Sequence, residues 1–337
     1  MKNKKVLLVG ITVAIVCILT TALIYTMFLQ STAPKERTVV DMAGREVTIP
    51  YEVKRAVVFA EYSLVVALDA WDCVVGVSKY AKYNEIMKNT VKDIENYCLN
   101  GSAMSFNVEE VLSKDPDVVI TYGGGSGYST PENLIEELES AGVPVICVNI
   151  YNISDIYKCI SLYGEIFNKE ERAEQIISEM QSAFDMVKEK VKGLPEKRTL
   201  HTWSSPTKVT AGLGITHDLI VNAGGIDVAE SLQERYATVD IEQIIEWDPE
   251  VVLIWGYAQY SPEDIYNDTQ WSTVSAVQNK SVYKYPKVST WSPEVSVLQV
   301  WFGVKIHPEA FENFDLQEYA DQFFQKIYGI NSPFEWL

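Results

Sequence analysis

One long amphipathic stretch, residues 169–193, divides the chain into two halves, and any fold must place something at each end of it. Asn168 reads as an N-cap with Glu171 as its capping-box partner, and Glu170, Glu171 and Glu174 suit the positive end of a helix dipole. Lys188, Lys190 and Lys192 suit the other end, Gly193 supplies the stop, and Pro195 follows it. Between these signals Ala173, Ile176, Ile177, Met180, Phe184, Val187 and Val191 recur at helical spacing and leave the opposite face charged. Such a helix is ~36 Å long at 1.5 Å per residue, enough to act as a strut across two domains.

The halves flanking the strut resemble each other. Residues 108–123, VEEVLSKDPDVVITYG, align without gaps to residues 241–256, IEQIIEWDPEVVLIWG: a capped helix, Asp-Pro, then an apolar strand ending in aromatic-Gly. Around these units apolar strands (55–60, 74–78, 118–122 and 143–149; then 199–204, 251–255 and 282–285) alternate with helical patterns, which implies parallel sheets covered on both faces. VVDMAGREVTIP, residues 39–50, reads as a hairpin. The expected fold is α/β, with two lobes each built on a mostly parallel sheet flanked by helices and joined by one long helix. The expected boundaries are an N-terminal segment 1–30, a tether 31–38, a first lobe 39–153, an inter-lobe helical region 154–195 and a second lobe 196–337.

Residues 6–29 carry no charge and follow Lys2, Lys4 and Lys5, a pattern that predicts an uncleaved membrane anchor with the rest of the chain outside the cytoplasm; a cleaved signal segment is the alternative. Beyond residue 30 the chain holds 25 basic and 46 acidic side chains, a net charge of −21, which argues against nucleic acid as a partner. Four cysteines lie in this part: Cys147 and Cys159 fall in apolar patterns as buried thiols, and a Cys73–Cys98 bridge has no support beyond an extracytoplasmic setting.

Taken together, VVDMAGREVTIP, the following Lys54 and Arg55, the two helix-Asp-Pro-strand units, the strut and the ending SPEVSVLQVWFGVKIHPEAF resemble the substrate-binding proteins of ABC importers for iron-siderophore complexes, haem and vitamin B12. The resemblance spans residues 37–329. It implies a monomer that captures a metal chelate between its lobes and hands it to a transmembrane permease with its ATPase, with no cofactor of its own. It also implies that one glutamate per lobe, Glu109 and Glu242, pairs with arginines of the permease.

In open parallel sheets ligands sit beyond the carboxyl ends of the strands. The loops at those ends are aromatic here: Tyr62, Tyr80, Tyr122 and Tyr128 on the first lobe, and Trp203, Tyr236, Trp255, Tyr257 and Trp291 on the second, with Arg235 among them. Glu61, Tyr83 and Tyr260 lie in the same loops. The first nine aromatic residues and Arg235 are the expected ligand contacts, against the alternative that Trp203 and Trp255 end strands inside the core. One arginine of six at the cleft points to a weakly charged ligand, a hydroxamate iron chelate or a corrinoid, with Lys79, Lys82 and Lys287 near enough in sequence to contribute. The glycine run 123–125 before Ser126 lacks phosphate-loop spacing and reads as flexible access to the cleft. His201, His217 and His307 lie on separate elements, which disfavours a bare metal ion, and no nucleophile stands beside a histidine, so no catalytic residue is assigned. Two other readings remain open: a chelatase-like tetrapyrrole enzyme, and a surface receptor or adhesin without a transporter.

Overall fold

Residues 35–124 and 128–336 are described by the computed structural model. An antiparallel hairpin, β1 (Glu36–Val40) with β2 (Glu46–Pro50), opens the chain. Asp41 closes its turn by accepting from the amides of Ala43 and Arg45, and its second oxygen accepts from the amide of Cys147, which ties the hairpin to the first sheet.

That sheet holds β3 (Ala56–Val58), β4 (Val74–Val77), β5 (Val118–Tyr122) and β6 (Val145–Val148) in the order β4-β3-β5-β6, all parallel. Its strands read as continuous apolar runs because both faces are covered. The second sheet holds β7 (Lys197–Ser205), β8 (Lys208–Thr210), β9 (Gly225–Asp227), β10 (Tyr236–Thr238), β11 (Val251–Ile254) and β12 (Val282–Lys284). Its main order is β10-β8-β7-β11-β12 with β9 also on β7; β7, β9, β11 and β12 are parallel, and β8 and β10 extend it antiparallel.

Seven helices position the site: α1 (Tyr62–Ala67), α2 (Val108–Leu112), α3 (Ile153–Phe167), α4 (Glu170–Val191), α5 (Ile241–Trp247), α6 (Val295–Ile306) and α7 (Leu316–Tyr328). The strut is α4, 22 residues and ~33 Å long, and it buries Ala173, Ile176, Met180, Ala183, Val187 and Val191. Its start differs from the expectation. Asn168 sits in the left-handed region at φ 54° and caps the end of α3, so only Asn168 and Lys169 separate the two helices and no side chain caps α4. Asparagine serves both at helix starts and in left-handed helix ends, and here the second role wins.

The two lobes share one buried apolar cluster. It runs from Val39 to Trp336 and joins one face of each sheet to α1, α3, α4, α6 and α7. Each sheet's opposite face has its own smaller cluster, around Val57, Val119 and Val145 in the first lobe and Leu200, Val252 and Ile254 in the second. Arg172 of α4 reinforces the junction, donating to the carbonyl of Ala67 on α1 and to those of Lys326 and Ile327 on α7.

The internal repeat is visible in the backbone. Asn107 accepts from the amide of Glu110 and Asp240 from that of Gln243, so both helices carry the same cap. Asp115 and Asp248, the residues before the two prolines, both adopt left-handed φ, 47° and 41°. The boxes are not reciprocal: Glu110 turns to Asn100 and Gln243 to Glu246. Cys73 and Cys98 are free thiols, as are the buried Cys147 and Cys159. Among the described residues no helix is long and apolar enough to cross a membrane; residues 6–29 lie outside them.

Candidate functional site

The carboxyl ends of β3, β5, β7 and β11 open into a cavity of about 870 Å³. The first lobe contributes Glu61, Tyr62, Ser63, Asn84, Tyr122 and Tyr128; the second contributes Trp203, Glu234, Arg235, Tyr236, Trp255, Tyr257 and the loop Val288–Ser292. Nine of the ten expected contacts therefore line one space. Tyr80 does not, although it stands near enough to Tyr128 to act on its phenol; it and Tyr83 are exposed, each beneath a lysine, Lys79 and Lys82.

The second-lobe wall is a run of rings. Trp203 stacks on Tyr236 with centroids 3.9 Å apart and 15° between planes, Trp255 lies 5.0 Å from Trp203, and Tyr257 lies 5.2 Å from Trp255. Trp203 and Trp255 are half-buried with their rings on the cavity, which separates them from the fully buried core aromatics. A second group bridges the lobes: Trp291 meets Tyr122 at 5.5 Å and Tyr128 at 5.9 Å, and those tyrosines meet each other at 5.1 Å. Edge and offset contacts of this kind add ~0.5–1.5 kcal/mol per pair beyond burial. Arg235 is the one arginine on the cavity. Its Nη2 donates to the carbonyl of Ile150 at 2.9 Å, and its guanidinium lies over the rings of Tyr151 and Trp291.

The floor is polar. Glu61 is 7% exposed; the Tyr122 phenol donates to its Oε1 and the Ser292 hydroxyl to its Oε2, and Ser63 donates to Ser292 at 3.4 Å. Burial pushes the Glu61 carboxyl above the usual range, against the pull of the hydroxyls of Ser292 and Tyr122. Burial also raises the phenols of Tyr62 and Tyr122, with negative Glu61 adding to both. Glu61 starts α1 from the left-handed region, φ 41°, with no side-chain cap. A non-glycine residue held there costs about 1–3 kcal/mol and is a feature that clusters at functional sites. Just beneath, Glu294 accepts from Tyr328 at 2.7 Å.

Sequence reasoning missed the hydroxyl loop Ser289, Thr290 and Ser292, along with Asn84 and Glu234. Small polar residues in an irregular loop carry no periodic signal, and only the position after β12 marks them. The reading of the glycine run needs revision at its first residue: a side chain on Gly123 would meet Cys147 Sγ at 2.3 Å, so close packing demands glycine there, while residues 125–127 lie outside the described range. The histidines sit away from the cavity. His201 is buried between Thr210 and Tyr285, and burial drives its pKa down to about 3; His217 pairs with Asp227, and His307 with Glu309. Among the described residues no three His, Cys, Asp or Glu side chains are grouped to hold a metal ion.

Glu109 and Glu242 are exposed, outside the cavity lining, at the second positions of α2 and α5. Each of these helices leads through Asp-Pro into a strand of its lobe's sheet, β5 or β11.

Two α/β lobes with an aromatic cleft between them and a rigid helix behind define a solute-binding protein. Residues 58–288 match the periplasmic binding protein family, and the chain belongs to it. It is 26% identical over 334 residues to the molybdate-binding protein MolA of Haemophilus influenzae, covering 89% of this chain and 93% of that one. It is 22% identical to a vitamin B12-binding protein of Yersinia pseudotuberculosis over 80% of this chain and 88% of the relative. The structure of Helicobacter pylori Ceue with Ni(II) bound superposes with a TM-score of 0.77 at 25% identity, covering 88% of this chain and 97% of that one. The chain is thus a substrate-binding protein of an ABC transport system and not an enzyme. The membrane-anchored location expected from residues 6–29 is corrected: the family matched is one of periplasmic binding proteins, and no described helix is fit to span a bilayer.

Proposed function

We propose that this protein captures a metal chelate, an iron-hydroxamate complex or a corrinoid, between lobes spanning residues 39–153 and 196–337, with the helical region 154–195 between them, and delivers it to its permease. The observation that carries this reading is the cleft itself: about 870 Å³, walled by Trp203, Tyr236, Trp255, Tyr257, Trp291 and Tyr128, with Arg235 as its one arginine. That volume lies near the top of the ~300–1,000 Å³ typical of small-molecule sites. Flat apolar faces with polar tips match a large chelate with an organic periphery. A bare tetrahedral oxyanion would leave most of this space unfilled and would want several converging cationic donors.

Tyr62, Tyr122, Trp203, Arg235 and Tyr236 complete the set of contacts, and Tyr80 stands at the rim. Glu109 and Glu242 are the docking points for permease arginines, one per lobe, outside the cleft. The test is mass spectrometry of ligand retained through native purification, followed by titration of the emptied protein with an iron(III) trihydroxamate, cyanocobalamin and molybdate. Saturable binding of either chelate supports the reading. Molybdate as the sole ligand, as the name of the Haemophilus influenzae relative suggests, would replace it.

A further inference from the structure

The cavity floor carries a carboxyl group with no cationic partner. No ion pair among the described residues involves Glu61, and the arginine on the cavity is turned to the Ile150 carbonyl and to two rings. Glu61 Oε1 and Oε2 each accept one hydroxyl, from Tyr122 and Ser292. An ionised carboxylate has about four acceptor positions, so it keeps capacity for a donor arriving from the cavity it lines. Its side chain makes no cap bond to its own helix and reaches Ser292 of the second lobe.

We propose that Glu61 is the specificity-determining residue of this cleft: it selects a neutral or cationic chelate that presents an N–H, ammonium or other hydrogen-bond donor to the floor, and it turns away free dianionic oxyanions. The inference rests on the chelate-binding reading and adds which charge and which polarity the ligand's inner end carries.

Both protonation states of the carboxyl lead to the same selection. Ionised, Glu61 repels an anion across a poorly hydrated floor and accepts from a donor. Neutral, it has a single O–H, which the adjoining hydroxyls of Ser292 and Tyr122 can take, and it still provides no positive charge for an anion. The walls act in the same sense. Arg235 already lies over Trp291 and Lys208 over Trp203, so Trp255 is the tryptophan of the wall whose negative ring face is left to attract a ligand cation. Glu234 lines the same cavity, so its lining holds two acids, Glu61 and Glu234, against one arginine.

The test uses the purified full chain as wild type, Glu61→Gln and Glu61→Asp, with folding checked by circular dichroism. The probes are a monocationic iron(III) trihydroxamate, cyanocobalamin and sodium molybdate, titrated by tryptophan fluorescence and calorimetry. Wild type is expected to prefer the cationic chelate over molybdate by ~100-fold, Glu61→Gln to cut that preference by about tenfold or more, and Glu61→Asp, which keeps the acid, to restore part of it. A preference unchanged in Glu61→Gln, with the chelate still bound, overturns the role of Glu61 and leaves the chelate reading standing. Binding of molybdate by Glu61→Gln but not by wild type, with no chelate bound, supports the gate at Glu61 and overturns the chelate reading. Molybdate bound by wild type more tightly than either chelate, or no probe bound by any of the three proteins, overturns both.

Discussion

Replacing Glu294 with Gln should remove a pH-dependent weakness from the junction between the lobes. Glu294 is 1% exposed at the head of α6. Burial pushes its pKa from 4.5 up to about 8; the Tyr328 phenol opposes the rise and negative Glu61 adds to it. An acid held above its unfolded value keeps its proton in the folded chain while the unfolded chain sheds it. Its contribution to stability is therefore intact below about pH 4.5, declines as pH rises, and is lost above about pH 8. Each tenfold change in proton affinity is worth about 1.4 kcal/mol, so the interval sets a ceiling of ~5 kcal/mol. Water entry and side-chain relaxation around the ionised group reduce the realised loss to ~2–3 kcal/mol. Gln keeps the shape and an acceptor for Tyr328 but has no proton equilibrium. Urea unfolding followed by tryptophan fluorescence at about pH 5 and about pH 9 should show wild type losing ~2 kcal/mol more than Glu294→Gln across that range. Glu61 titrates in the same direction in both proteins, so the difference between them reports Glu294 together with its repulsion by Glu61. Equal losses in both would refute the argument.

Three further outcomes are expected. Trp255→Ala and Trp291→Ala should each weaken chelate binding by ~1–3 kcal/mol in calorimetry with unchanged circular dichroism, and unchanged affinity in both would make those rings idle. Reversing Glu109 and Glu242 to Lys together should abolish uptake by cells carrying the permease while affinity stays within about twofold, since rim charges govern docking; transport that survives the double reversal sinks the assignment. Alkylation of the unfolded protein without reductant should label Cys73 and Cys98, both free thiols in the structure, and a protected pair would show a bridge.

Signals that are local and periodic were legible in the sequence. The strut was expected over 169–193 and spans 170–191, β5 falls where the apolar run 118–122 places it, and α7 covers 316–328. The error at Asn168 arose because the end of one helix and the start of the next are compressed into two residues, and the same side chain serves both ends. The short antiparallel strands β8 and β10 escaped because three residues cannot establish a period; partners along the second sheet, not propensity, make them strands. At the cleft the aromatic residues were readable because bulky rings after apolar strands are conspicuous. Glu61 was placed in a cleft loop, but its partner was not legible, since Glu61 meets Ser292 across 231 positions and no spacing rule reaches that far.

The shared core also bears on how the molecule is made. Leu64, Val65 and Leu68, at and just after α1, belong to the same buried cluster as Phe323, Phe324 and Ile327 of α7, and Arg172 ties the two helices through backbone carbonyls. A chain emerging N-terminus first therefore cannot finish its first lobe until its last helix has arrived. Contacts spanning about 260 residues carry a heavy loop-closure cost and slow folding. Until then the apolar side of α1 waits uncovered, a surface that invites aggregation or chaperone binding. Truncation just before residue 316 should accordingly damage the distant first lobe as much as the second, and neither half should be recoverable as a soluble domain.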